Sequence, residues 1–91
     1  MIDSDNLICN GWNRWFFGVL PYTGKVRNEG KKCIIYMKDG YIHNAIGPAI
    51  IWDDGIVEWR LNSKWMSFKR FSRAANLPDE DILMFKLKYG G

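Results

Sequence analysis

The chain has 91 residues, 47% of them hydrophobic and 15% aromatic, with a formal net charge of +3. A chain of this length makes one domain, which buries a little over ~60% of the surface that its unfolded form exposes. The hydrophobic content excludes a disordered chain, no apolar run approaches the ~18 residues of a membrane helix, and the mild positive charge permits nucleic-acid binding without demanding it.

Residues 1–10 are expected to form a loose lead-in, with Leu7-Ile8-Cys9 able to join a sheet edge. The opening Met1–Asn6 is acidic and polar, unlike the basic first region of a signal peptide. Residues 11–65 read as a β-meander. Within it, Trp12 and Trp15 are three apart and Trp15 and Phe17 two apart, a spacing that fits a strand and a turn equally. Strand formers dominate from Trp15 to Leu20, and Pro21 ends that run. Tyr22–Lys25 reads as a turn, and the polar Arg27–Lys32 as a loop or hairpin tip. Two runs of β-branched and aromatic residues follow, Ile34–Met37 and Ala49–Trp52. Each is followed closely by Asp-Gly, at Asp39-Gly40 and Asp54-Gly55, and a third run spans Ile56–Leu61. Asp-Gly beside such runs signals a hairpin, because the turn needs positive φ and these residues tolerate it best.

The pattern changes in residues 66–91, which read as a helical tail. Ser67 can cap a helix with Phe68, Phe71 and Ala75 on one face and Lys69, Arg70 and Arg73 on the others. Asn76-Leu77-Pro78 breaks it. Pro78 suits the first turn of a second helix, where Asp79, Glu80 and Asp81 meet the positive end of the dipole and Lys86 and Lys88 the negative end. Ile82 and Phe85, with Leu83, Met84 and Leu87, supply its buried side, and Gly90 permits termination. The fold class is α+β: an antiparallel meander of about four to six short strands, then two short helices packed on the sheet.

The segment Gly40-Tyr41-Ile42-His43-Asn44-Ala45-Ile46-Gly47-Pro48-Ala49 resembles the Gly-x-x-His-Arg-x-Asp-Gly-Pro-Ala repeat of many small proteins of tailed bacteriophages and large DNA viruses. In that family the repeat continues through an aromatic, Asp-Gly, Glu-Trp and Leu-Asn-Gly-Lys. Here the same order stands as Trp52, Asp54-Gly55, Glu58-Trp59 and Leu61-Asn62-Ser63-Lys64, and the closing Leu87-Lys88-Tyr89-Gly90 is similar to the family's tail. Residues 36–65 carry the likeness, and the first third has no counterpart. Asn44, Ile46 and Ser63 depart from the family's Arg, Asp and Gly, so an ion pair between the first two positions is absent. The resemblance implies MORN-like β-hairpin architecture, no established enzyme activity, and a phage-encoded protein working in the cytoplasm of an infected bacterium.

His43, the only histidine, is expected to hydrogen-bond a backbone group in the turn before Gly47-Pro48, since acid–base work would need an orienting carboxylate. Gly55 is expected at positive φ. Asp53-Asp54 reads as turn chemistry and Asp79–Asp81 as helix capping. No motif with metal-ligand or phosphate-loop spacing is present, so no metal or cofactor is expected. Cys9 and Cys33 form no C-x-x-C pair and read as reduced thiols. The best binding candidates are Lys64, Trp65, Lys69, Arg70 and Arg73, since cations beside an exposed aromatic can hold phosphate and stack on bases. The bland reading of that set is a solvated face neutralised by Asp79–Asp81. Trp12, Trp15, Phe16 and Phe17 are many large rings for so small a core, and an exposed apolar patch marks a partner surface.

These readings converge on a non-catalytic phage protein that inhibits or neutralises a host defence or regulatory protein, with self-association as a further expectation. The alternative is a module that binds or sequesters a phosphorylated ligand, either a signalling nucleotide or nucleic acid.

Overall fold

The structure, a computed structural model, describes residues 1–11 and 13–89. Trp12 and Gly90, both singled out above, lie outside the described residues. Among the described residues, ten strands and two α-helices follow one another: β1 (Ile2–Asp3), β2 (Ile8–Cys9), β3 (Trp15–Phe17), β4 (Leu20–Pro21), β5 (Gly24–Asn28), β6 (Cys33–Lys38), β7 (Tyr41–Ile42), β8 (Ile50–Trp52), β9 (Val57–Leu61), β10 (Lys64–Met66), α1 (Phe68–Ala74) and α2 (Asp79–Tyr89). The class is α+β, with mostly antiparallel strands and both helices at the C-terminal end.

The strands form a main sheet in the order β1-β5-β6-β8-β9-β10, with β7 pairing to β6 beyond the end of β8, and a three-stranded ribbon β2-β3-β4. From β5 onward the main sheet is the expected meander. Two expectations fail. The lead-in is not loose: β1 adds to the sheet edge in parallel, pairing Ile2 with Val26 and Asp3 with Arg27, and Leu7 is buried. Nor do residues 22–32 divide into a turn and a loop. Gly24–Asn28 pairs residue by residue with Met37–Cys33, leaving only 29–32 as the hairpin tip. Polar composition concealed a strand whose one face is solvated, the usual state of an antiparallel sheet.

The turns follow their local chemistry. Asp39 and Gly40 both take positive φ (51° and 83°), the pattern of a two-residue type I′ hairpin between β6 and β7. Between β8 and β9, Gly55 stands at φ 94°, with its N–H donating to Trp52 O at 3.0 Å and Trp52 N–H donating to Ile56 O at 2.9 Å. The β9–β10 turn is Asn62-Ser63, both left-handed at φ 51° and 69°, so Ser63 occupies a conformation in which glycine would be unstrained. Gly47-Pro48 lies buried in the link between β7 and β8. There Asn44 closes the loop, donating through Nδ2 to Pro48 O (3.0 Å) and accepting Ile46 N–H at Oδ1 (3.1 Å).

Two cores sit on opposite sides of the sheet. On the helix side, Trp59 is the hub, with ring centroids of Phe68, Phe71 and Phe85 at 4.7, 4.9 and 5.5 Å. Such ring pairs add about 0.5–1.5 kcal/mol beyond the area that they bury. Ser67 caps α1 as expected, accepting Arg70 N–H at 3.3 Å, and Asn76 at φ 54° ends the helix path. Pro78 stands just before α2, its carbonyl accepting Asp81 and Ile82 N–H. Of the residues expected on the buried side of α2, Phe85 is buried and Ile82 half-buried. Leu83, Met84 and Leu87 are exposed, because a helix one layer thick on a sheet covers only one stripe. The second core gathers Leu7, Val26 and Met37, with Ile2, Trp15, Tyr22, Ile35 and Ile42 packed around them.

The ribbon meets the main sheet at Gly40. Gly40 N–H donates to Tyr22 O and Trp15 N–H donates to Gly40 O, both at 2.7 Å. A Cβ at Gly40 would lie 2.5 Å from Trp15 O and 2.8 Å from Arg14 Cγ, whereas one at Gly55 would meet nothing within 4 Å. Gly55→Ala is therefore expected to cost only the positive-φ strain, about 1–2 kcal/mol. Gly40→Ala adds a backbone collision in a buried junction and should cost more than about 3 kcal/mol. Denaturant unfolding of the two variants measures the difference, and equal losses would mean that the junction yields freely.

Candidate functional site

Helix α1 presents Lys69, Arg70 and Arg73 outward because Phe68 and Phe71 occupy the inward arc, the latter with no exposed surface. None of the three cations forms an ion pair among the described residues, so neutralisation by Asp79–Asp81 is not realised as direct contacts. Trp65 does not join them. Strand alternation sends Met66 into the helix-side core, so its neighbour Trp65 projects from the opposite side of β10, 61% exposed and paired in register with Arg60. Arg60 is committed elsewhere, donating to Glu58 Oε1 (2.8 and 2.6 Å) and to Ser63 O (3.0 Å). Lys64 is exposed on the same edge strand. The expected patch is thus split across the sheet edge.

The aromatic cluster of the first third separates as well. Trp15 is half-buried against the second core, whereas Phe17 is exposed. Phe17 and its register partner Leu20 flank a tight hairpin led by Gly18 at φ 63°, which meets the positive-φ requirement of a type II′ turn. Phe17, Val19 and Leu20 are 55%, 91% and 69% exposed, and Ile8 on the neighbouring strand β2 is 68% exposed. Sequence reasoning identified Phe17 and missed Ile8, Val19 and Leu20. The signal was the Gly18-Val19 pair between apolar residues, hidden by reading Trp15–Leu20 as one strand. Arg14 steadies the ribbon base: its Nε–H donates to Asp39 O at 2.9 Å, and its guanidinium lies over the rings of Phe16 (5.4 Å) and Tyr41 (5.2 Å).

His43 makes the expected kind of bond to a different turn. Its Nδ1 accepts Asn62 N–H at 2.9 Å, and its own backbone N–H donates to Tyr36 O at 2.9 Å. The ring is therefore the tautomer that carries its proton on Nε2. Around it, Lys25, Tyr36, Lys38 and Asn44 line an open depression of about 350 Å³. On the opposite side of the sheet, a groove of about 240 Å³ runs past Cys33, Ile35, Ile50 and Trp52 to the Glu58–Arg60 pair. Cys33 is free and buried there, its thiol pushed up by burial, and Cys9 is free and exposed. Asp53, read as turn chemistry, also holds Arg27 in a two-point pair at 2.7 and 2.8 Å. That guanidinium keeps the Asp53 carboxyl below the usual carboxylate range. No group of three or more His, Cys, Asp or Glu among the described residues is arranged to hold a metal ion.

Compared with known proteins, the chain matches no family model, no curated protein sequence and no solved structure.

Burial, followed by the charge of Lys38, holds the His43 imidazole below its ordinary value of 6.5. The unfolded chain then takes up the proton first as pH falls, so this contribution is complete above about pH 6.5 and is lost toward the lower folded-state value. His43→Gln keeps an acceptor for Asn62 N–H and removes the titration. Urea midpoints followed from about pH 7.5 to pH 5 should fall in the wild-type chain and stay flatter in the variant. Equal slopes would remove His43 as their source.

Proposed function

We propose that this chain is a non-catalytic binding protein of phage origin that inhibits or neutralises a bacterial host defence or regulatory factor by covering part of its surface. The exposed apolar ribbon carries the binding part of this reading. Monomeric soluble proteins rarely expose contiguous apolar patches larger than roughly a few hundred Å², and such patches mark interaction sites. Phe17 and Leu20 pair on one face of the ribbon and Val19 stands at its tip, while Ile8, in register with Phe16, lies on the other face. Full burial of Phe17 or Leu20 against a partner would contribute roughly 1.5–3 kcal/mol each. The resemblance of residues 36–65 to the phage repeat supports the origin and the setting in an infected bacterium.

Two other uses of the surface compete. A second copy of the chain would cover the ribbon in a homo-oligomer, most simply a two-fold dimer. A phosphorylated ligand is favoured by Lys69, Arg70 and Arg73, which point outward without ion-pair partners among the described residues.

One set of variants separates the three. Phe17→Ser with Leu20→Ser should abolish capture of a host protein while leaving the circular dichroism spectrum unchanged. Arg70→Ala with Arg73→Ala should leave that capture nearly intact, and raising salt from about 0.05 to 0.5 M should weaken it little, since phosphate contacts and not apolar ones carry a steep salt slope. Loss of binding in the arginine variant alone would transfer the function to α1. A dimer in light scattering that the Phe17/Leu20 variant disperses would assign the ribbon to self-association.

A further inference from the structure

We infer that the depression on the helix side of β5 and β6 is a binding site for a nucleoside monophosphate, a phosphate monoester that carries a planar base. It is separate from both the ribbon and the basic arc of α1.

Its construction follows from register. Lys25 pairs with Tyr36 across the β5–β6 hairpin, and Lys38 lies two residues beyond Tyr36, so alternation sends all three side chains to one side of the sheet. Beyond β7, His43 N–H donates to Tyr36 O, which places the imidazole beside the same ring. The Lys25 ammonium lies over the Tyr36 ring, 5.5 Å from its centroid. The resulting open depression, of about 350 Å³, has Lys25, Lys38 and His43 on its walls and Tyr36 among them, with no acidic side chain in its lining. That volume falls within the ~300–1,000 Å³ typical of small-molecule sites.

The chemistry of the walls selects the ligand class. Lys25 and Lys38 offer two ammonium groups with no carboxylate partner among the described residues. His43 keeps Nδ1 occupied by Asn62 N–H, so Nε2–H is the donor that remains to an incoming oxygen. Two cations and a neutral N–H donor suit a phosphate, whose oxygens accept several charge-assisted bonds at once. Asn44 does not compete, because both ends of its amide are used within its own loop. The Tyr36 ring beside these cations offers an aromatic surface to a planar base once the Lys25 ammonium that lies over it turns to the phosphate.

The test titrates the full chain with adenosine 5′-monophosphate, adenosine and inorganic phosphate by calorimetry and by proton–carbon NMR of the His43 ring. The monophosphate should bind saturably and shift the His43 signal. Adenosine and inorganic phosphate should each bind at least roughly tenfold more weakly, since each lacks half of the recognised chemistry. Lys25→Gln with Lys38→Gln, both exposed positions, should weaken the monophosphate at least roughly tenfold with an unchanged melting temperature, whereas Arg70→Gln with Arg73→Gln should leave it within about twofold. Absence of saturable binding up to about 10 mM would overturn the proposal, as would wild-type affinity in the lysine variant. Loss of binding confined to the arginine variant would also overturn it, placing the phosphate on α1. None of these outcomes bears on capture of a host protein by the ribbon, which the Phe17/Leu20 variant reads separately.

Discussion

The structure depends on a backbone-to-backbone meeting at Gly40. A ribbon whose strands are only 2, 3 and 2 residues long is too small to be stable alone, so it must be fastened to a larger layer. The fastening is polar and local. Gly40 gives its N–H to Tyr22 and takes that of Trp15, while Asp39 N–H donates to Thr23 Oγ1 at 2.9 Å and Asp39 O accepts Arg14. Only a residue without a side chain lets the Trp15 carbonyl come so close, and only a positive-φ pair gives the β6–β7 turn the hand that matches strand twist. The same glycine therefore satisfies two constraints, one from the hairpin and one from the ribbon. The second core then fills in behind this contact with Trp15 and Tyr22, which stand at the two ends of the β3–β4 hairpin.

Placement of the helices determines what stays open. Trp59 and its three phenylalanine neighbours draw α1 and α2 to the β9–β10 end of the sheet. That leaves the helix side of β5 and β6 uncovered, where Lys25, Tyr36 and Lys38 stand in water or at its margin. It also leaves Phe17, Val19 and Leu20 of the ribbon with no layer over them. Both candidate surfaces are thus consequences of one aromatic cluster too small to cover a seven-stranded sheet.

Much of the fold was legible because its strongest signals are local. Asp39-Gly40, Asp54-Gly55, Ser67 and Asn76–Pro78 each specify a turn, a cap or a break by their own conformational chemistry, and each does so here. The parts that escaped are those decided by distant partners. Ile2-Asp3 becomes a strand only because β5 offers it an edge, and Arg27-Asn28 join a strand because Ile34 and Cys33 lie opposite. Reading 22–32 as turn and loop removed Lys25 from register with Tyr36, so the Lys25–Tyr36–Lys38–His43 arrangement could not be assembled from the sequence. Trp65 failed for a simpler reason. It was grouped with α1 by proximity in the chain, but strand alternation with a buried Met66 sends it to the other side.

The distribution of charge gives the two surfaces different ranges of action. Of the five arginines, Arg27 and Arg60 are held by acidic partners and Arg14 is laid over two rings, which leaves Arg70 and Arg73 on α1. Acidic groups are likewise absorbed by structure: Asp53 and Glu29 by Arg27, Glu58 by Arg60, Asp54 by the N–H of Ile56, and Asp79–Asp81 at the start of α2. The net charge of +3 is therefore carried outward chiefly by lysines and by α1. Charges of this exposed kind act over about one Debye length, roughly 8 Å at physiological salt, and mainly speed encounter with an anionic partner. Apolar side chains such as those of the ribbon have no such reach; against a partner they would act only on contact, where exclusion of water would make their contribution persistent. A surface steered by α1 and held by Phe17 and Leu20 would separate association rate from lifetime in one small domain.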